Sequence, residues 1–166
     1  MFSTVARRLA SLFMIGAIGG ALGACVAETA PAPSLPPLAQ DRGQPALALI
    51  EHVLGEHFAG PGGGADPPTT CVELRPAGLS AEQEQALIAR FPRLAPRSRC
   101  DTRDPPPEDG ITGERAMVLQ VYGLECSEPA QCTGWVARPG QPAMRYAMRF
   151  EEGAWQFEGN RRLLAE

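Results

Sequence analysis

Residues 143–158 read Ala143-Met144-Arg145-Tyr146-Ala147-Met148-Arg149-Phe150-Glu151-Glu152-Gly153-Ala154-Trp155-Gln156-Phe157-Glu158. Met144, Tyr146, Met148 and Phe150 alternate with Arg145, Ala147, Arg149 and Glu151. Side chains of a strand point to opposite faces with a period of two, so one face is apolar and the other polar. Glu152-Gly153 makes a tight turn, after which Trp155 and Phe157 continue the apolar face and Gln156 and Glu158 the polar one. Upstream, residues 114–126 and 132–137 read as two more strands, joined by a turn over 127–131 that contains Pro129. Successive alternating strands with short turns predict an antiparallel meander with one buried face.

The first part of the chain supplies a cover for that face. Residues 45–58 predict a helix with Leu47, Ile50, Val53, Leu54 and Phe58 on one side, stopped at Gly60-Pro61-Gly62. Residues 69–75 predict a strand. Ser80 opens a second helix, with Gln83 at capping-box spacing and Leu87, Ile88 and Phe91 as its buried face; Pro92 ends it. Residues 94–100 return toward Cys71, and 101–110 form a proline-containing loop. The expected fold is α+β: two N-terminal helices on a curved C-terminal antiparallel sheet of four to five strands. Element order and the Glu152-Gly153-Ala154-Trp155 hairpin make the domain similar to the cystatin-like and nuclear-transport-factor-2-like architecture. That resemblance implies a sheet curved around a helix and carries no function with it.

Arg7-Arg8, an uncharged apolar run over residues 9–22 and small residues at its end describe a signal peptide. The run is too short for a membrane span, which needs roughly 20 residues. Leu22-Gly23-Ala24-Cys25 resembles the lipobox of bacterial lipoproteins, which implies cleavage before Cys25 and lipid on that cysteine. Val26, rather than Asp, follows it, and by the same resemblance implies the outer membrane. Cleavage by ordinary signal peptidase after Gly23 or Ala27 would instead give a soluble periplasmic or secreted protein. The expected organisation is a signal peptide over 1–24, a lipidated cysteine and proline-rich tether over 25–44, and one periplasmic domain over 45–166.

The cysteine count fits this scheme. Five cysteines is an odd number for an exported chain. Assigning Cys25 to lipid leaves Cys71, Cys100, Cys126 and Cys132, most simply two disulfides outside the cytoplasm. Of three possible pairings, Cys71–Cys100 would bracket a helix and Cys126–Cys132 would close a hairpin. A four-cysteine zinc site needs closely spaced pairs, which these are not. No metal or other cofactor is expected.

The chain carries net charge −4, and losing Arg7 and Arg8 takes it to −6. An acidic domain is a poor general binder of nucleic-acid phosphates. All fifteen basic residues are arginine. Arg90, Arg93, Arg97, Arg99 and Arg103 fall in one segment, with Arg145 and Arg149 on the polar face of the meander. Guanidinium groups suit carboxylate and phosphate, so these seven form a candidate surface for an acidic partner or an anionic envelope ligand. The ordinary alternative is that they pair with nearby Asp and Glu.

Catalytic patterns are scarce. His52 and Glu56 form an i,i+4 pair on the first helix, whereas His57 lies about 140° around the axis from His52. Neither H-E-x-x-H nor H-x-x-E-H occurs, and neither does G-x-S-x-G or a phosphate loop. The expectation is therefore a non-catalytic envelope lipoprotein that binds a protein or envelope ligand. The alternatives are an inhibitor or immunity protein for an envelope hydrolase, and a small periplasmic hydrolase or isomerase using His52 and Glu56.

Overall fold

The computed structural model describes residues 35–60 and 68–160. The expected signal peptide, lipobox, lipidated Cys25 and first part of the expected tether lie outside the described residues.

Helix α1 (Pro45–Ala59) starts on proline, whose fixed φ and missing N–H suit a first turn. It buries Leu47, Ala48, Leu49, Ile50, Val53 and Leu54. Ala48 and Leu49 widen the expected apolar stripe because α1 is covered from more than one side. Helix α2 (Ala81–Arg90) has the expected capping box: the Gln83 N–H donates to Ser80 Oγ at 3.1 Å and the Ser80 N–H to Gln83 Oε1 at 3.0 Å. Its Leu87 is fully buried, with Ile88 and Phe91 packed at the rim of the core.

The strands are β1 (Thr69–Leu74), β2 (Cys100–Asp101), β3 (Glu108–Asp109), β4 (Ala116–Glu128), β5 (Gln131–Ala137), β6 (Met144–Glu151) and β7 (Ala154–Asn160). The main sheet has the order β1-β4-β5-β6-β7, and β2 pairs with β3 separately. From β4 to β7 the pairing is the expected antiparallel meander. The β6–β7 turn is the expected Glu152-Gly153, with φ of 53° and 82°, the backbone twist that a two-residue hairpin favours.

Two expectations are corrected. The sheet is mixed, because β1 runs parallel to β4 with Cys71 opposite Val118 and Val72 opposite Leu119. The helices are not both N-terminal to it, because α2 follows β1. Parallel pairing requires a long crossover, and residues 75–115, carrying α2, provide one.

The inner sheet face holds Val72, Leu119, Val121, Val136, Tyr146, Met148 and Trp155, in one core with α1. At Gly134 of β5 the sheet has no room for a side chain under α1: a Cβ there would stand 2.8 Å from Leu49 Cδ2. On the outer face, Cys71, Ala95, Cys100, Ala116 and Val118 form a second, smaller core. Two disulfides pair Cys71 with Cys100 and Cys126 with Cys132. The first joins β1 to β2; the second crosses between β4 and β5 at directly opposed positions.

Residues 35–41, read from sequence as the end of the tether, are docked on the helices. Ala39 is buried and Leu38 packs against the core. Glu51 accepts the Leu38 N–H at 2.8 Å and pairs with Arg90 at 3.1 Å.

Candidate functional site

His52 and Glu56, one turn apart on α1, are brought together at 3.4 Å (Nε2 to Oε1). The fold adds partners that spacing did not reveal. Tyr146, from β6, donates its hydroxyl to Glu56 Oε2 at 2.9 Å, and Arg138, just after β5, reaches the same oxygen at 3.1 Å. Phe157, from β7, stacks on the His52 ring at 4.2 Å and 6°. Tyr146 was legible as an inward residue. Its partner was not, because 90 residues separate it from Glu56.

The electrostatics follow from this packing. Burial lowers the pKa of His52 and outweighs the opposing pull of Glu56, while the Arg138 charge lowers it further. The Glu56 carboxyl is lowered: burial opposes ionisation, but the Tyr146 and Arg138 hydrogen bonds together win. The pair at neutral pH is therefore a neutral imidazole beside a carboxylate. A neutral imidazole oriented by a carboxylate can accept a proton. The second histidine, His57, points elsewhere, toward Phe58, and burial lowers its pKa too.

The arginine segment is largely spoken for by acids. Arg90 pairs with Glu51. Arg97 pairs with Glu73 at 3.5 Å and donates to the Cys100 carbonyl at 2.7 Å. Arg103 pairs with Asp101, whose carboxyl it pulls down to about 2. Arg93 lies over the Phe58 ring at 5.0 Å. Arg99 meets Asp109 at 2.7 Å. Sequence alone placed Asp109 in a proline-containing loop, yet it is 1% exposed. It also accepts Thr69 Oγ1 at 2.5 Å and the Ile111 N–H at 2.9 Å. Hydrogen bonds from Arg99, Thr69 and Ile111 hold its carboxyl well below the usual range. No sequence signal marked this hub, since its donors come from three separate segments.

Arg145 and Arg149 stand apart from that segment. They lie on β6, three strands from β1, or about 14 Å by strand spacing. With Glu125, Ser127, Gln131, Thr133 and Ala147 they line an outer-face groove of about 470 Å³. Arg145 donates to Thr133 Oγ1 at 3.4 Å, and its buried Nε has no acceptor. Among the described residues, neither arginine has a carboxylate within ion-pair distance. Glu125, opposite Thr133, and Glu158, opposite Ala147, share the face without reaching them.

No family model, curated protein or solved structure matches the chain.

Proposed function

We propose that this chain is a lipid-anchored, non-catalytic envelope lipoprotein whose domain binds an anionic partner through the outer face of β5 and β6. The observation that carries this reading is the state of Arg145 and Arg149. The arginines at 90, 97, 99 and 103 neutralise acids of their own domain, whereas these two line a groove without doing so. Guanidinium groups that line an open groove suit carboxylates or phosphates. Binding would be weakened by salt, since one of the two side chains is exposed.

The test offers the mature chain two probes, a polyglutamate peptide and vesicles with phosphate headgroups. Salt-sensitive binding to either, lost in Arg145→Glu/Arg149→Glu, supports the reading. Equal binding by that variant, or none to both probes, overturns it. Anchoring is tested separately: labelled palmitate should enter the wild type and not Cys25→Ala.

A second reading, a hydrolase or isomerase, has one observation in its favour. The neutral His52 beside ionised Glu56 lines a cavity of about 180 Å³ with Ala48, Ala154, Trp155 and Phe157. Under this reading His52→Ala abolishes an activity detectable in the wild type. Under the binding reading it leaves anion binding intact.

A further inference from the structure

The outer sheet face carries aromatic rings beside its arginines. Tyr122 of β4 lies directly opposite Trp135 of β5, and Trp135 directly opposite Arg145 of β6. Their chain neighbours Val121, Val136 and Tyr146 are in the core with α1, so this row points outward by the two-residue alternation of strands. Both aromatic side chains are half-buried, and neither belongs to a core cluster. The Trp135 indole is seated against Gly123, where a Cβ would stand 3.1 Å from its Cδ1. Gly123 has a φ of 58° and sits in the register shift between Tyr122 and Glu125.

The two rows beyond are polar and carry both signs of charge. Glu125, Thr133, Ala147 and Glu158 are in register, followed by Gln131, Arg149 and Gln156. Exposed Ala147 lines the groove between Arg145 and Arg149, whose Cα atoms are about 13 Å apart along the strand.

This composition selects among anions. A phosphate headgroup or an acidic peptide uses the guanidinium donors, gains nothing from Trp135, and is opposed by Glu125 and Glu158. A sugar ring uses the whole surface. Its C–H face packs on an indole or phenol ring, and its hydroxyls donate to Glu125 and Glu158 and exchange hydrogen bonds with Gln131 and Gln156. A carboxylate on the ring pairs with arginine. The separation of Arg145 from Arg149 suits carboxylates in series.

We infer, resting on the anion-binding reading of this face, that its ligand is an acidic polysaccharide, a chain of sugar rings bearing carboxylates. Rings pack on Trp135 and Tyr122, and the chain crosses Ala147 with its carboxylates on Arg145 and Arg149.

The experiment titrates the mature chain with oligomers of galacturonate and of mannuronate, which differ in ring stereochemistry, and with polyglutamate, an anion without rings. Indole N–H signals are followed by NMR, since Trp135 and Trp155 are the two tryptophans of the chain. At least one oligouronate should bind about tenfold more tightly than polyglutamate of equal charge and shift the Trp135 signal. Trp155 serves as the internal reference, because it is buried and its Nε1 donates to the Asp41 carbonyl at 3.2 Å. The Trp135 signal is read in the unaltered chain, so the test does not depend on a variant that folds. Trp135→Ala should reduce the preference for the oligouronate over polyglutamate about tenfold. Arg145→Glu/Arg149→Glu should abolish binding of both. An oligouronate no better than polyglutamate, an unmoved Trp135 signal, or a preference that survives Trp135→Ala overturns the inference, while polyglutamate binding that still needs the two arginines keeps the anion-binding reading. Oligouronate binding that survives Arg145→Glu/Arg149→Glu overturns both.

Discussion

Tyr146 shows how much a single residue joins in this domain. It is 1% exposed, yet its hydroxyl ends on a carboxylate whose side chain is 43% exposed. The ring fills the core and the oxygen ties β6 to α1. Tyr146→Phe keeps the ring and removes the donor to Glu56. Water can reach the freed carboxylate, so the loss should be about 1 kcal/mol in denaturant unfolding. The Glu56 pKa should rise toward its ordinary value, because the first of the stabilising hydrogen bonds is gone. Carbon-detected NMR titration of Glu56 checks this; an unshifted pKa would contradict the geometry. Gly134 makes the opposite kind of claim, about space. With Leu49 at 2.8 Å from a would-be Cβ and Leu124 at 3.1 Å, Gly134→Val forces α1 away from β5. The expected loss is about 1–3 kcal/mol, read from the urea midpoint, and Gly134→Ala should cost less because the Leu49 tip can move.

At the scale of elements, local pattern and long-range pairing part company. The β6–β7 hairpin, the capping box of α2 and the first turn of α1 are encoded within a few residues, and all three were legible. The parallel pairing of β1 with β4 was not, because nothing within either strand specifies a partner that lies beyond a crossover. Residues 35–41 were ambiguous for a different reason. Prolines that stiffen a free tether equally stiffen a docked strap, and the difference lies in Glu51, Arg90 and Trp155, far along the chain. The arginine segment was half legible: its charge was visible, but its acids lie on β1, β2, β3 and α1. The disulfides allow a quantitative comparison between elements. Cys71–Cys100 closes a separation of 29 residues and Cys126–Cys132 one of 6. Loop entropy assigns these about 3.6 and 2.4 kcal/mol. Cys71→Ala/Cys100→Ala should therefore destabilise the domain by about 1 kcal/mol more than Cys126→Ala/Cys132→Ala. Equilibrium denaturation of both variants measures the difference, and a reversed order would show that strain or residual structure outweighs loop closure.

For the molecule as a whole, the titrating groups predict a stability profile with two acid limbs. His52 and His57 both have pKa values lowered from 6.5, chiefly by burial. Below that value the unfolded chain takes up protons that the folded chain refuses, so stability falls as pH drops from 6.5 toward the folded values. Arg138 reinforces this at both histidines, Arg93 adds to it at His57, and Glu56 moderates it at His52. The second limb comes from carboxylates. Asp101, Asp109, Glu56 and Glu73 are all lowered in the folded state, so the stability they contribute is present above the ordinary carboxylate range. That stability is lost as pH falls through their folded values, below about 4. The limbs are separable by substitution. His52→Gln/His57→Gln should flatten the profile from about pH 6.5 to 5 while leaving the lower limb in place. Asp109→Asn should do the reverse: it lowers stability at neutral pH by removing the negative charge paired with Arg99 and one of its two acceptor oxygens, and it makes the lower limb shallower because one proton fewer is linked to unfolding. Urea midpoints taken across the range for the wild type and both variants decide the matter. A wild-type profile that stays level to pH 5 would show that the histidines are hydrated in the folded state and that the packing of His52 between Tyr146 and Phe157 is looser than its stacking distance implies.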